Sequence, residues 1–272
     1  MSSVSKIQQF GPVSCLRGLI KKLGRTFTYC VYYVDGLLID TGPPAARKAV
    51  EAFVKNKKIT AIVLTHSHED HIGNAQWLAD KYNIPVYMSS LTKKQLEQDV
   101  VIPFYRRLIW GKVQHTNGLV LETEIKTNHY HFTVIPTPGH CDGHIALLEP
   151  QEKWLFSGDL FLSKRLLYGM ANESVPILLR SIKTVLKHDF STVFCGHAGI
   201  VENGKESFIA KKEYLERLTA STLSLQAKGY SAEMIAKLLL PQQKLVSWFS
   251  KGEMSPLHLI TSIINEHSIK IR

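Results

Sequence analysis

Six consecutive residues, His66-Ser67-His68-Glu69-Asp70-His71, carry three imidazoles and the Asp70 carboxylate, the donor types that bind zinc and other divalent first-row metals. Two imidazoles two residues apart, followed by a carboxylate–imidazole pair, can feed two neighbouring metals from one loop. The stretch follows the apolar run Ala61–Leu64 and precedes Ile72-Gly73-Asn74. That setting suits neither a core histidine nor an ordinary turn.

Matching donors recur downstream. Thr133–Gly139 ends on His140, Trp154–Gly158 on Asp159, and Thr192–Gly196 on His197. In each case an apolar, strand-like run is followed by a glycine, which lets the chain turn sharply and present the next side chain to a cleft. One such pair is weak evidence. Three of them with the His-rich loop give five histidines and two aspartates, a set that suits two metals sharing a carboxylate.

With these motifs the chain resembles the metallo-β-lactamase superfamily, whose signature is HxHxDH followed by separate His, Asp and His motifs. The resemblance runs from about Tyr29 to about Asn203. It implies His66, His68 and His140 on one metal, Asp70, His71 and His197 on the other, and Asp159 bridging them. Asp40, in Leu37-Leu38-Ile39-Asp40-Thr41-Gly42, matches the family's first motif, where the residue supports the loop and the metal ligands rather than binding metal. Many antibiotic-degrading members have Arg or Cys where this chain has His71 or Asp159. The match therefore points to the general hydrolase branch, such as glyoxalase II and related thioesterases, lactonases and phosphodiesterases. The implied cofactors are two divalent ions, zinc first, with iron or manganese as alternatives.

The chemistry expected of such a set is hydrolysis by a metal-bridging hydroxide, with Asp70 also orienting the nucleophile and carrying a proton. No GxSxG elbow is present, so covalent serine catalysis has no basis. Two other readings remain open. One is a compact endoribonuclease of the same superfamily, since the stretch between Asp159 and His197 is too short for the extra domain of one RNA-processing branch. The other is a persulfide dioxygenase using a single iron on two His and one Asp, which leaves Asp70, His71 and His197 without a role.

The elements that must position these donors are legible in outline. Thr28–Val34 and Leu37–Ile39 flank Asp35-Gly36, a type I′ hairpin signal. Residues 43–56 read as a helix, followed by strand 61–65, helix 74–82 and strand 85–88. The region from His131 to Ser157 is β-rich. The order fits the αββα sandwich that the resemblance implies, over residues 1–204. Residues 205–272 read as an all-helical C-terminal extension. Its helices are Lys205–Lys228 stopped by Gly229, a short one capped by Ser231, and a last one from Ser255-Pro256 to about Glu266.

Composition fits a globular enzyme: 272 residues, 44% hydrophobic. The first ten residues lack the apolar core of a signal peptide, and Cys15–Val34 is broken by Arg17, Lys21, Lys22 and Arg25, so neither secretion nor a membrane span is expected. Cys15, Cys30, Cys141 and Cys195 show no CxxC spacing and are read as cytosolic thiols, giving a cytoplasmic location. The net charge of +10 argues for an anionic partner, here a small molecule rather than nucleic acid, because the basic residues are dispersed. Residues 100–121 carry Arg106, Arg107, Lys112 and His115 with no acidic residue, and Lys164, Arg165 and Tyr168 follow Asp159. Arg106, Arg107, Lys164, Arg165 and Tyr168 are the candidate substrate residues. Neither the substrate nor the oligomeric state is readable.

Overall fold

In the computed structural model, residues 3–22, 24–98 and 102–271 are described. Two sheets form the middle of the molecule. The first has seven strands in sequential order: β1 (Ser3–Phe10), β2 (Val13–Lys22), β3 (Arg25–Val34), β4 (Leu37–Ile39), β5 (Ala61–Val63), β6 (Val86–Met88) and β7 (Leu119–Val120). Its first four strands run antiparallel, and β4 to β7 run parallel. The parallel steps are joined through α1 (Arg47–Val54), α2 (Glu69–Ile72), α3 (Ala75–Tyr82), α4 (Ser90–Leu96) and α5 (Phe104–Trp110). The second sheet contains β8 (Glu124–Lys126), β9 (His131–Pro136), β10 (Ile145–Glu149), β11 (Trp154–Gly158), β13 (Thr192–Cys195) and β14 (Gly199–Val201), in the order β14-β13-β11-β10-β9-β8. Between β11 and β13 lie β12 (Gly169–Met170) and α6 (Val175–Val185). After β14 come α7 (Gly204–Ala227), α8 (Ala232–Leu239), α9 (Lys244–Phe249), β15 (Met254–Ser255) and α10 (Pro256–Ile271).

Period-two alternation sends successive side chains to opposite faces of each strand, and it explains the layering. Val13 and Cys15 of β2, Cys30, Tyr32 and Val34 of β3, Phe132 and Val134 of β9 and Phe194 of β13 meet between the sheets. Phe156 and Phe194 stack there at 4.4 Å. The alternate residues point outward. Leu16, Ile20, Val31 and Ile62 pack on Val50, Phe53, Leu78 and Ile109 of the first helical layer. Ile135, Leu148, Leu155 and Val193 pack on Ile182, Phe208, Leu215, Ile235 and Ile260 of the second. The result is an αββα sandwich. Helix α7 starts at Gly204, and its buried residues join the outer layer of the second sheet.

Several element boundaries differ from the sequence expectation for local reasons. The helix expected over 43–56 opens as a 3-10 turn at Pro44–Ala46 before α1. The strand expected to reach Thr65 stops at Val63, because the Thr65 N–H donates to the Asp40 carboxylate at 2.8 Å instead of to a strand. The last helix continues past Glu266 to Ile271. Asp35 and Gly36 have φ of 45° and 90°, the two positive values a type I′ turn requires. All four cysteines are buried and free. Among the described residues no helix is long and apolar enough to cross a membrane.

Candidate metal centre and its cavity

The donors converge from strand ends that lie along one edge of the sandwich. Asp40 follows β4, the His66–His68 loop follows β5, and α2 presents Asp70 and His71. His140 comes from the loop after β9, Asp159 follows β11, and His197 follows β13. Two glycines are needed for the approach. At Gly158 the φ of +46° accompanies a register shift between β11 and β13, which swings Asp159 inward. At Gly196 a Cβ would lie 2.6 Å from both Asp159 Oδ1 and His71 Cε1.

Ligand atoms gather into three overlapping groups, each with all its atoms within 4.8 Å of one another: His66, His68 and His140; His66, His71 and Asp159; and Asp70, His71 and His197. Asp159 sits between the outer two. Its Oδ2 is 3.4 Å from His140 Nε2 and 3.0 Å from His197 Nε2, and its Oδ1 is 3.4 Å from His71 Nε2. Asp70 Oδ2 lies 3.3 Å from His197 Nε2. All seven donors expected from the sequence are thus brought together. His71 Nε2 and Asp159 Oδ1 are fully buried with no hydrogen-bond partner. Buried polar atoms left without a hydrogen bond are costly unless a further group satisfies them.

The histidines are held by their outward nitrogens. Nδ1 of His66 meets Thr65 Oγ1 at 3.0 Å, Nδ1 of His71 meets Asp40 Oδ2 at 2.7 Å, Nδ1 of His140 meets Glu173 Oε1, and Nδ1 of His197 meets the Thr28 carbonyl. In each ring this leaves Nε2 for the centre. His68 is reversed: its Nδ1 faces His66 Nε2 at 3.1 Å and His140 Nε2 at 2.9 Å. Asp40 also accepts the Thr65 hydroxyl at 2.8 Å and adopts φ of +56°. It supports the loop and the His71 ring, as its motif implied, and belongs to none of the three groups.

Electrostatics follow burial and the carboxylates. Burial pushes His66 and His68 well below the ordinary imidazole range. Burial acts the same way on His71, but Asp159, Asp40 and Asp70 outweigh it and hold that ring well above the ordinary value. His197, balanced likewise between burial and Asp159, stands at about 9. Any metal taken up at these two rings would displace protons, and its affinity there would rise with pH.

Two supports were not recognised in the sequence. His144 is buried, joins Thr137 Oγ1 at 2.8 Å, and accepts the Asp159 N–H on Nε2 at 3.0 Å. Burial lowers its pKa to about 3, so it stays a neutral acceptor. The Gly143-His144 pair repeats the glycine–donor pattern and could have flagged it. Glu173 braces His140 and accepts the Met170 N–H at 3.0 Å, and no spacing signal marks it.

The centre opens into a cavity of about 420 Å³. His68, Asp70, His140, Asp159 and His197 form one end, and Arg106, Arg165 and Tyr168 are on its wall. Arg107 and Lys164 do not line it. Arg107 faces a neighbouring hollow of about 810 Å³ beyond Arg106, together with Lys112 and His115. Arg106 lacks acidic neighbours in sequence but not in space. Its Nη2 and Nε reach Glu69 Oε2 at 2.5 and 3.1 Å, and its Nη1 reaches Glu253 Oε1 at 3.4 Å. Its charge is engaged within the fold.

The sequence profile of the Metallo-beta-lactamase superfamily matches residues 23–197, more than half of the chain. The chain is 31% identical over 159 residues to a hydroxyacylglutathione hydrolase of Bdellovibrio bacteriovorus, covering 57% of this chain and 56% of that protein. It is 26% identical to the hydroxyacylglutathione hydrolase GloC of Haemophilus influenzae, covering 63% of this chain and 84% of that one. Among solved structures, a metallo-beta-lactamase from Pontibacter korlensis superposes with a TM-score of 0.65 at 17% identity, over 78% of this chain and 99% of that one. A metallo-beta-lactamase family protein from Thermus thermophilus does so at 0.62 and 20% identity, over 98% and 94%. At these identities the structures speak for the fold alone.

Proposed function

The chain belongs to the metallo-beta-lactamase superfamily, and from that premise we propose that it is a dinuclear metal-dependent hydrolase acting on an ester-type bond, a thioester, lactone or phosphodiester, of a small anionic molecule. The observation that carries this reading is the Asp159 carboxylate between two donor groups, with Asp159 Oδ1 and His71 Nε2 buried and unpartnered. Divalent cations held by these residues would satisfy those atoms, and the His/Asp donor set suits zinc, iron or manganese.

When bound, two such cations supply Lewis acidity toward a carbonyl or phosphoryl oxygen and a water acidic enough to ionise near neutral pH. The chain does the rest. Asp40, Thr65, Glu173 and the Thr28 carbonyl fix the tautomers and ring orientations of four histidines. The neutral His144 holds the Asp159 backbone in place. Asp70 lines the cavity, and in this reading it would orient the nucleophile and pass a proton to the leaving group. Arg165, on the same wall and exposed, is the cation available to an anionic substituent.

The nuclease reading has less support. Arg106 is committed to Glu69 and Glu253, and Arg107 lies outside the cavity. The decisive experiment is elemental analysis of reconstituted protein, coupled to turnover of thioester, lactone, phosphodiester and short RNA substrates. The expected result is two metals per chain and hydrolysis that a chelator abolishes and metal restores. At most one metal per chain, or turnover indifferent to chelation, refutes it.

A further inference from the structure

The cavity carries more charge in its residue names than in its chemistry. Apart from the donor cluster, its ionic side chains are Arg106, Arg165, Glu173 and Lys211. Three of them are engaged by the protein itself. Arg106 pairs with Glu69 and Glu253. Glu173 is shared between His140 and the Met170 N–H. Lys211, fully buried, donates to the Leu160 and Phe161 carbonyls at 2.9 and 2.5 Å. Arg165, exposed at the rim, has no ion pair among the described residues. Much of the remaining wall is apolar: Phe27, Trp110, Leu166, Met170, Leu178 and Met254.

Resting on the hydrolase reading above, we propose that this cavity accepts an apolar arm, and that the substrate is an ester or thioester of a medium-length saturated acyl chain. Along the apolar part of this wall, away from Arg165, Thr26, Thr28, Ser163 and Tyr168, an amide or carboxylate would lose its water without a partner, at a cost of about 1–3 kcal/mol per group. An alkyl arm loses nothing and gains from every methylene buried. The volume of about 420 Å³ leaves room beside the reacting group for on the order of eight to ten carbons, each taking about the space of a water molecule. Met254 belongs to the C-terminal region. It reaches the wall because β15 pairs with β12, the strand that follows the Asp159 loop. The helical extension therefore helps to set the length of the arm.

The test uses zinc-loaded, full-length protein and two series from C2 to C10. Straight-chain carboxylates are measured by calorimetry, and thioesters with one common leaving group are measured by turnover. Affinity and kcat/KM are expected to rise about fourfold per methylene until the cavity is full, and then to level off. In Met254→Trp the plateau is expected at a shorter chain, and in Met254→Ala at a longer one. Affinities independent of chain length overturn the proposal, and so does a gain that persists unaltered in both variants, which is surface adsorption. If affinity climbs with length while thioesters, lactones and phosphodiesters all go uncleaved, the cavity assignment stands and the hydrolase reading fails. If thioesters are cleaved but both series are flat, the hydrolase reading stands and the apolar arm falls.

Discussion

Asp40→Asn separates support of the metal centre from support of the fold. The carboxylate accepts three groups at once: the Thr65 N–H, the Thr65 hydroxyl and His71 Nδ1–H. Asparagine keeps the size and tolerates the φ of +56°. Its Oδ1 still accepts the Thr65 N–H, but its amide nitrogen replaces the oxygen that faces Thr65 and His71. The amide then donates to Nδ1 and drives the His71 proton onto Nε2, the atom aimed at Asp159. Losing a partner of this kind costs about 10- to 100-fold in metal affinity, or roughly 1.4–2.8 kcal/mol. The loss should fall on a cation that Asp70, His71 and His197 would hold. Metal-free stability should change little. Asp40→Ala instead strands the buried Thr65 N–H and the His71 ring, at about 1–3 kcal/mol each, and puts a Cβ-bearing residue without a compensating hydrogen bond into the left-handed region, at about 1–2 kcal/mol more. At roughly 2–4 °C per kcal/mol for a chain of this order of size, its metal-free Tm should fall by about 6 °C or more. Chelator competition and thermal melts of both metal-free variants measure the two effects. Native affinity for both metals in Asp40→Asn, or a Tm as low as that of the alanine variant, refutes the reasoning.

Two further variants probe the surroundings. Gly196→Ala introduces a methyl 2.6 Å from Asp159 Oδ1 and His71 Cε1, so it should lower metal content while circular dichroism stays native, and unchanged content would count against the tight approach. Lys211 is held by burial at about 8, below the unfolded lysine value, so between pH 8 and 10.5 the unfolded chain binds the extra proton and stability should rise with pH, by on the order of 3 kcal/mol at most. Lys211→Met should remove that upward slope from denaturant titrations repeated across the window, and an identical slope in both proteins would show that Lys211 titrates normally.

Much of the centre was legible because its donors obey a local rule: apolar strand, turn, ligand. His66, His68, Asp70, His71, His140, Asp159 and His197 all follow it. What the chain order hides are relations fixed only by packing. Glu173 reaches His140 across the loop that precedes α6, and the Thr28 carbonyl reaches His197 from the other sheet. The Arg106 partners, Glu69 and Glu253, come from α2 and from the segment before β15, so an acid-free sequence window says little about an acid-free environment. The hairpin of β1 and β2 was equally obscure. In β2 both faces are covered, Leu16 and Ile20 by helices and Val13 and Cys15 by the facing sheet, so the polar–apolar alternation of a half-buried strand is blurred.

The wide dispersal of the ligands also bears on the order in which the molecule is made. His71 follows β5 of one sheet and His197 follows β13 of the other, and a cation that needs both sheets closed cannot nucleate the fold as it does in a zinc finger. Unlike the distant donors, the His66–His71 loop is available to the unfolded chain as a local chelate, and this reduces the net stabilisation that metal gives to the native state. The three apolar clusters must therefore assemble the sandwich unaided, with loading as a late event. Chains synthesised under metal starvation are expected to accumulate as folded, chargeable apo-protein rather than as unfolded material for proteolysis. Refolding rates should then be indifferent to added zinc, while recovery of activity should depend on it.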